Sequence, residues 1–240
     1  KILHVTNFNE RHNGRLYYNT GRRINNGFLR LGHTVQTLSD RDVISRERKI
    51  LDLTGSKSLN KKFIEIVSNF YPDIIIFGHA DQISNTTLKM IKEFYPDIKM
   101  SQWFLDKMDD NKWVINKRRF TKKIRYMDYS FCTTHPSQIK SFRYEKIDFI
   151  PNPVDSSFEN LNIYKNTIYK YDLFFALSHG VHRGTLKKGK IDLREIFLNK
   201  LSNQNDEIRF NIFGHNNNQP IWAEEFKKQL SLSKMALNLS

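Results

Sequence analysis

The sequence predicts an α/β fold of two parallel-sheet domains, the second incomplete, over residues 1–155 and 170–240. Three observations predict it. Short apolar runs alternate with helical stretches along the chain, the pattern of a parallel sheet covered on both faces. A helix–Tyr-Pro-Asp–strand unit occurs twice in succession, at Tyr71-Pro72-Asp73 and Tyr95-Pro96-Asp97. An apolar strand (Ile147, Phe149, Ile150) then runs into Pro151-Asn152-Pro153. Each proline fixes its own φ and holds the preceding residue extended, so neither strand nor helix continues there. A chain that stops one such unit and starts another is expected to build two α/β domains with a ligand cleft between them.

The elements follow in order. The first strand is Ile2 to Phe8, and a polar loop, Asn9 to Gly14, leads into a helix with apolar positions Tyr17, Ile24, Phe28 and Leu31. Gly32 is its expected C-cap. A second strand runs from Thr34 to Leu38 and ends at Ser39-Asp40; the polar residues after it carry no clear pattern. A helix from about Ser58 places Leu59, Phe63, Ile66, Val67 and Phe70 on one face. Strand Ile74–Phe77, helix Asn85–Phe94 and strand Ile98–Leu105 come next, then a basic helix from Trp113 to about Met127. Strand Tyr129–Thr133 and a short helix after His135-Pro136 complete the first set.

Beyond Asp155 a polar linker runs to about Tyr169. The second set has strands Leu173–Leu177, Ile208–Phe213 and Met235–Leu239, with helices Ile191–Leu201 and Ile221–Leu230 between them. Three strands are few for a domain of this kind. With a start at Lys1 rather than Met and a strand at the very end, the expectation is a trimmed fragment.

Composition bounds the function. At 240 residues the chain can bury a sizeable core. No apolar run approaches the ~20 residues of a transmembrane helix, and the strand-like start at Ile2-Leu3-His4-Val5 leads to the expectation of no signal peptide. A single cysteine, Cys132, excludes an intramolecular disulfide and fits a core thiol in a reducing cytoplasm. The net charge of +14 suits polyanionic partners: phosphorylated substrates, anionic lipid or nucleic acid. It equally suits a Lys-, Asn- and Ile-rich proteome. Zinc-finger spacing, RNP-type aromatics and a basic tail are all absent from the sequence, which argues against nucleic acid.

Ligands of open α/β sheets bind at the carboxyl ends of strands, so the residues after each strand are the site candidates. Strand one is followed by Asn9 to Gly14, which lacks a G-x-G-x-x-G pattern and reads as an ordinary polar loop around Gly14. The third strand is followed by Gly78-His79-Ala80-Asp81. A histidine beside an acid positions hydroxyls, acts as a base or simply bonds locally. After the next strand come Asp106, Asp109 and Asp110. A metal would need more converging oxygens, so a solvated acidic loop is expected, with Asp106 as a sugar-hydroxyl contact and no metal.

In the second set Leu177 is followed by Ser178-His-Gly-Val-His-Arg183-Gly184 and then Lys187, Lys188 and Lys190. Glycines, cations and a helix N-terminus together suit a diphosphate. Gly214-His215 forms another strand-end loop. In the basic helix, Trp113, Phe120, Ile124 and Met127 share one face. Arg118, Arg119, Lys122, Lys123 and Arg125 spread over the other. That face is either ordinary surface or a contact of residues 113–127 with anionic lipid, at about 1 kcal/mol per basic residue.

These features together resemble the group 1-type glycosyltransferases: the loop with Gly14, the Gly78-His79-Ala80-Asp81 strand end, the segment Phe149-Ile-Pro-Asn-Pro-Val-Asp155 and the Arg183 loop. The ending, from Trp222 through Lys234-Met-Ala-Leu-Asn-Leu-Ser240, is similar to a subset of that family. The resemblance implies GT-B architecture, two Rossmann-like domains with the acceptor mainly on the first and the nucleotide-sugar mainly on the second. It implies that Arg183 with Lys187 or Lys188 neutralises the donor diphosphate as the glycosidic bond breaks, without a metal or other cofactor. His79 and Asp106 would be catalytic, Gly14 and Asp81 would line the acceptor and sugar side, and Gly214 and His215 the nucleotide-side loop. The family's acidic ribose-gripping motif would lie beyond residue 240. The implied function is sugar transfer from a nucleotide-diphosphate donor to a glycan or lipid-linked acceptor in bacterial cell-surface polysaccharide assembly. Its place would be the cytoplasm, at the inner face of the membrane. A sugar-nucleotide epimerase or phosphorylase on the same architecture, or a non-catalytic nucleotide- or sugar-binding module, are the other readings.

Overall fold

The computed structural model describes residues 1–48, 50, 52–142, 146–166, 168–177, 193–215 and 218–239. The chain divides into two compact units. One comprises Lys1–Arg11 and Asn19–Phe158, the other His12–Tyr18 and Glu159–Ser240.

The first unit is a six-stranded parallel sheet with helical crossovers, as the alternating pattern predicts. Its elements are β1 (Ile2–Thr6), α1 (Thr20–Arg30), β2 (Val35–Ser39), α2 (Asp40–Arg46), α3 (Ser56–Phe70), β3 (Ile74–Gly78), α4 (Asn85–Phe94), β4 (Lys99–Phe104), α5 (Val114–Thr121), β5 (Tyr129–Cys132) and β6 (Ile147–Phe149). The strand order is β2-β1-β3-β4-β5-β6, with every pairing parallel. The order reverses direction between β1 and β3. That switch point leaves a crevice at the carboxyl ends of these two strands, because the crossovers after them depart to opposite sides.

β1 is buried along its whole length, as a central strand with both faces covered must be. The main core joins Leu3, Val5, Ile75, Phe77 and Met100 of the sheet to Leu59, Phe63 and Val67 of α3 and Leu88 and Ile91 of α4. A smaller cluster (Phe104, Met108, Phe120, Cys132, Ile139, Ile147) lies under β4–β6. Cys132 is a core thiol whose burial pushes its pKa up to about 11.

Local chemistry explains several boundaries. Asn19 caps α1 by accepting from the Arg22 N–H at 3.1 Å. The helix ends in a Schellman motif: Gly32 is left-handed at φ 82°, its N–H reaches the Leu29 carbonyl, and the His33 N–H reaches Phe28. Tyr17, expected on this helix, precedes it. The unassigned residues after Asp40 form α2, and α3 starts at Ser56, just after the left-handed Gly55.

The basic helix differs most from expectation. It stops at Thr121 and resumes as a 3-10 turn at Ile124–Tyr126, so the 100° period breaks near Lys122. Lys123 is fully buried and Arg119 turns inward to three partners, so the single cationic face does not exist as drawn from the periodicity. Among the described residues no helix is long and apolar enough to cross a membrane.

The second unit holds a three-stranded parallel sheet, β7 (Tyr171–Ala176), β8 (Phe210–Phe213) and β9 (Ser233–Ala236), in the order β8-β7-β9. Its helices are α6 (Leu193–Asn203) and α7 (Ala223–Ser231). Phe175, Leu177 and Leu198 form its small core. Both sheets are thus parallel and helix-connected, the second much the smaller.

Candidate functional site

β1, β3 and β4 run parallel, so their carboxyl ends deliver Thr6-Asn7, Gly78-His79 and Leu105-Asp106 to one cavity of about 400 Å³ at the switch point. Asn19, Thr20 and Gly21 at the start of α1 form another wall, and Arg41 and Arg119 a third. The floor depends on Gly78. A Cβ there would overlap the Trp103 indole and come within 2.6 Å of Thr6 Oγ1. Gly21 has a similar need, since its Cβ would meet the Thr6 methyl at 2.7 Å, so the α1 N-terminus approaches β1 more closely than any side chain allows.

The backbone leaves β3 through two consecutive left-handed residues, His79 (φ 59°) and Ala80 (φ 42°). Left-handed backbone is costly for residues with a Cβ and persists where surroundings hold it. Here the buried ammonium of Lys123 donates to the His79 carbonyl, and Ala80 is fully buried. The His79 ring stacks at 4.4 Å on Phe104 and meets Trp103 edge-on at 6.0 Å.

Arg119 organises the polar groups. Its guanidinium donates to Asp81 from Nε (3.0 Å) and Nη2 (2.6 Å), to Asp106 from Nη1 (3.1 Å) and to His79 Nδ1 from Nη2 (2.9 Å). A guanidinium can only donate, so Nδ1 accepts and the neutral ring carries its proton on Nε2. Burial, reinforced by the Arg119 charge and opposed by Asp106, lowers the His79 pKa to about 4. The imidazole is therefore neutral near pH 7 and presents Nε2–H as a donor. Burial would raise the Asp81 pKa, but the Arg119 bonds and charge bring it below the ordinary value.

Three further charges lie beside this group. Lys123 is fully buried with its pKa lowered by desolvation to about 8, and its ammonium stands 5.5 Å from the Phe77 ring centroid. Asp40 is buried at the end of β2, and its pKa is raised by desolvation to about 6. Arg41 lies 3.9 Å from Asp81. On the far side of Trp103, His4 Nε2 accepts from the indole N–H at 3.3 Å. That contact leaves the His4 proton on Nδ1, toward Asn25 at 3.4 Å.

The residues singled out from the sequence divide accordingly. His79 and Asp106 share the cavity, with His79 Nδ1 and Asp106 Oδ2 3.9 Å apart. Asp81 is tied to the same guanidinium but stands on a neighbouring cavity. Gly14, left-handed at φ 84°, is not among the cavity residues; it belongs to the 12–18 segment that groups with the second unit. Asp109 and Asp110 serve the local fold: Asp109 accepts from the Asn111 and Trp113 N–H groups, each at 2.8 Å, and Asp110 pairs with Lys117. Among the described residues no cluster of three His, Cys, Asp or Glu is arranged to hold a metal.

In the second unit Gly214 is required by its φ of 77° and by the Leu177 carbonyl, which a Cβ would overlap. His215 is buried, with Nε2 2.8 Å from Asn199 and Nδ1 3.4 Å from Glu195. Both ring nitrogens thus fasten the loop to α6 rather than face a ligand. Arg183, Lys187 and Lys188 lie outside the described residues.

Sequence reasoning missed Arg41 and Trp103 and placed Arg119 and Lys123 on an exposed cationic face rather than at the site. Arg119 sits in the run Lys117-Arg118-Arg119, where nothing distinguishes the inward-facing cation from its solvated neighbours. Asp40 did carry a signal, since it follows β2 directly and the strand-end rule applies to it as well. Compared with models of known protein families and with curated proteins, the chain matches none.

Proposed function

We propose that the protein is a glycosyltransferase of the GT-B type, moving a sugar from a nucleotide-diphosphate donor to a glycan or lipid-linked acceptor. The observation that carries this reading is the convergence of Asn7, His79 and Asp106, from three adjacent strand ends, on one polar cavity with Trp103 in its wall. Such a cavity offers a neutral donor (His79 Nε2–H), an acceptor (Asp106) and an aromatic face. These are the groups that hold a polyol whose hydroxyls both donate and accept. The resemblance of the Pro-Asn-Pro-Val-Asp segment and the Arg183 loop to the group 1-type enzymes supplies the reaction class.

On this reading His79 positions a hydroxyl by donating to it and is not the base. Asp106, held by Arg119 at 3.1 Å, accepts the hydrogen bond of the hydroxyl that becomes the nucleophile and takes its proton. That oxygen forms the new bond to the anomeric carbon as the bond to the diphosphate oxygen breaks. The nucleoside diphosphate departs with the electron pair, and the Arg183 and Lys187–Lys188 cations neutralise it.

The test is a panel of UDP-, GDP- and ADP-sugars incubated with the full chain, followed by release of the nucleoside diphosphate and by thermal shift. His79→Ala and Asp106→Asn should each lower turnover by about 10²-fold or more. Arg183→Ala should abolish most of the thermal protection by nucleotide. If no sugar nucleotide is consumed and none of UDP, GDP and ADP moves the melting temperature, the reading fails. Binding without turnover would favour a sugar-nucleotide-binding module.

A further inference from the structure

Beside the switch-point cavity lies a second one of about 590 Å³, lined by Arg11, Arg41, Arg48, Asp40, Asp81 and the α2 face that carries Ile44. Arg41 is common to both walls. The charges here are unequally committed. Asp81 is held by two hydrogen bonds from Arg119, and Arg11 by Asp42 at 2.7 Å. Among the described residues Arg48 has no ion pair within 4 Å, and Arg41 has a 3.9 Å approach to Asp81 and acts on the neighbouring Asp40 through its charge. Two exposed guanidiniums therefore face the cavity with their donors largely unspent.

Asp40 does not cancel them. It is 2% exposed, its Oδ1 has no hydrogen-bond partner, and desolvation raises its pKa to about 6. A cavity wall with spare guanidinium donors suits an anionic group.

We propose that this second cavity binds the phosphate of a phosphorylated acceptor, with Arg41 and Arg48 donating to its oxygens. That the ligand is an acceptor rests on the transfer reading above; the phosphate site itself does not. The volume exceeds what inorganic phosphate fills, so a sugar phosphate and a lipid phosphate both fit the chemistry. Arg41, standing on both walls, sets the phosphate next to the cavity of His79 and Asp106.

The experiment is calorimetric titration of the full chain with inorganic phosphate, glucose 6-phosphate, octyl phosphate and glucose. The phosphates should bind and glucose alone should not. Replacing both arginines (Arg41→Gln with Arg48→Gln) should weaken phosphate binding at least about tenfold. Removing two exposed charges elsewhere (Lys61→Gln with Lys89→Gln) should leave it unchanged. Both arginines are exposed, so their replacement removes no buried structure. Preference for glucose 6-phosphate assigns a sugar phosphate, and preference for octyl phosphate a lipid phosphate. Absence of binding, equal loss in the two double variants, or loss on Arg183→Ala instead would overturn the proposal. Because the readout is binding of a phosphate without nucleotide, a failed sugar-nucleotide panel leaves this result standing, and the reverse also holds.

Discussion

Arg119 Nη2 donates to His79 Nδ1 at 2.9 Å, and this contact decides which nitrogen of the imidazole carries its proton. The same guanidinium holds Asp81 and Asp106, so one cation fastens three neighbours. Arg119→Gln removes the positive charge while Asp106 and Asp81 remain. The His79 pKa should then climb from about 4 back toward 6.5, because the remaining carboxylates favour imidazolium. An NMR titration of the histidine ring signals checks it. An unmoved His79 would mean that desolvation alone holds the ring neutral.

Stability should fall as the protein is acidified from pH 7 to 4. His4 and His79 are both held at about 4, below the 6.5 of the unfolded chain. Between those values the unfolded state binds more protons, so the stabilisation is complete above about pH 6.5 and drains away as pH falls toward 4. Each histidine contributes on the order of 3 kcal/mol over that window. Asp40 opposes them, because its pKa is raised to about 6 and its contribution is present at low pH and lost as pH rises through 6. With two histidines against one aspartate, the net slope follows the histidines. Urea unfolding at pH 7 and pH 4.5 measures it, and His4→Gln should flatten the difference.

Two glycines should respond in opposite directions to alanine. Gly78→Ala pushes a methyl into Trp103 and Thr6 beneath the site, and should cost about 1–3 kcal/mol while distorting the cavity. Gly27, inside α1, has nothing within 4 Å of a built Cβ. Gly27→Ala should therefore stabilise by about 0.5–1 kcal/mol through helix propensity alone. Parallel urea melts separate the two. Equal effects would mean that the close approach at Gly78 is not the constraint described above.

Asp155, the last residue of the Pro-Asn-Pro-Val-Asp segment, is buried and held at a pKa far below the ordinary carboxylate range, chiefly by Arg30. Arg30 and Asn26 of α1 both donate to it at 2.7 Å, and the Ser157 N–H donates at 2.8 Å. Asp155→Ala leaves these donors without their acceptor and frees the segment from α1. The melting temperature should drop by about 5 °C. Increased proteolysis near residue 155, seen by mass spectrometry, would show that the segment itself is released.

Much of the fold was legible in advance. The helix Asn85–Phe94 has the bounds that its pattern predicts, because Ser84 caps it and Tyr95-Pro96 stops it. β3 was equally plain, since a strand of a covered parallel sheet carries an unbroken apolar run such as Ile74-Ile-Ile-Phe77. The strand-end rule also placed His79 and Asp106, which share a cavity. The basic helix was not legible. Its cations were read as one exposed face, whereas the helix stops at Thr121 and Lys123 is buried with its ammonium on the His79 carbonyl.

The sequence by itself determined the α/β class, the two parallel sheets and the strand ends where polar residues gather. These follow from local rules: apolar period, proline stops and caps act within a few residues of each other. Only the tertiary structure decided that Arg119, 40 residues beyond His79, donates to it, that Lys123 is buried, and that His215 is fastened to α6. Those outcomes depend on how separate crossovers fold over the same strand ends. A lysine or an arginine looks alike in the chain whether it meets water or a buried carbonyl. The desolvation that lowers the pKa of Lys123 and raises that of Asp40 exists only once the neighbouring elements have closed around them.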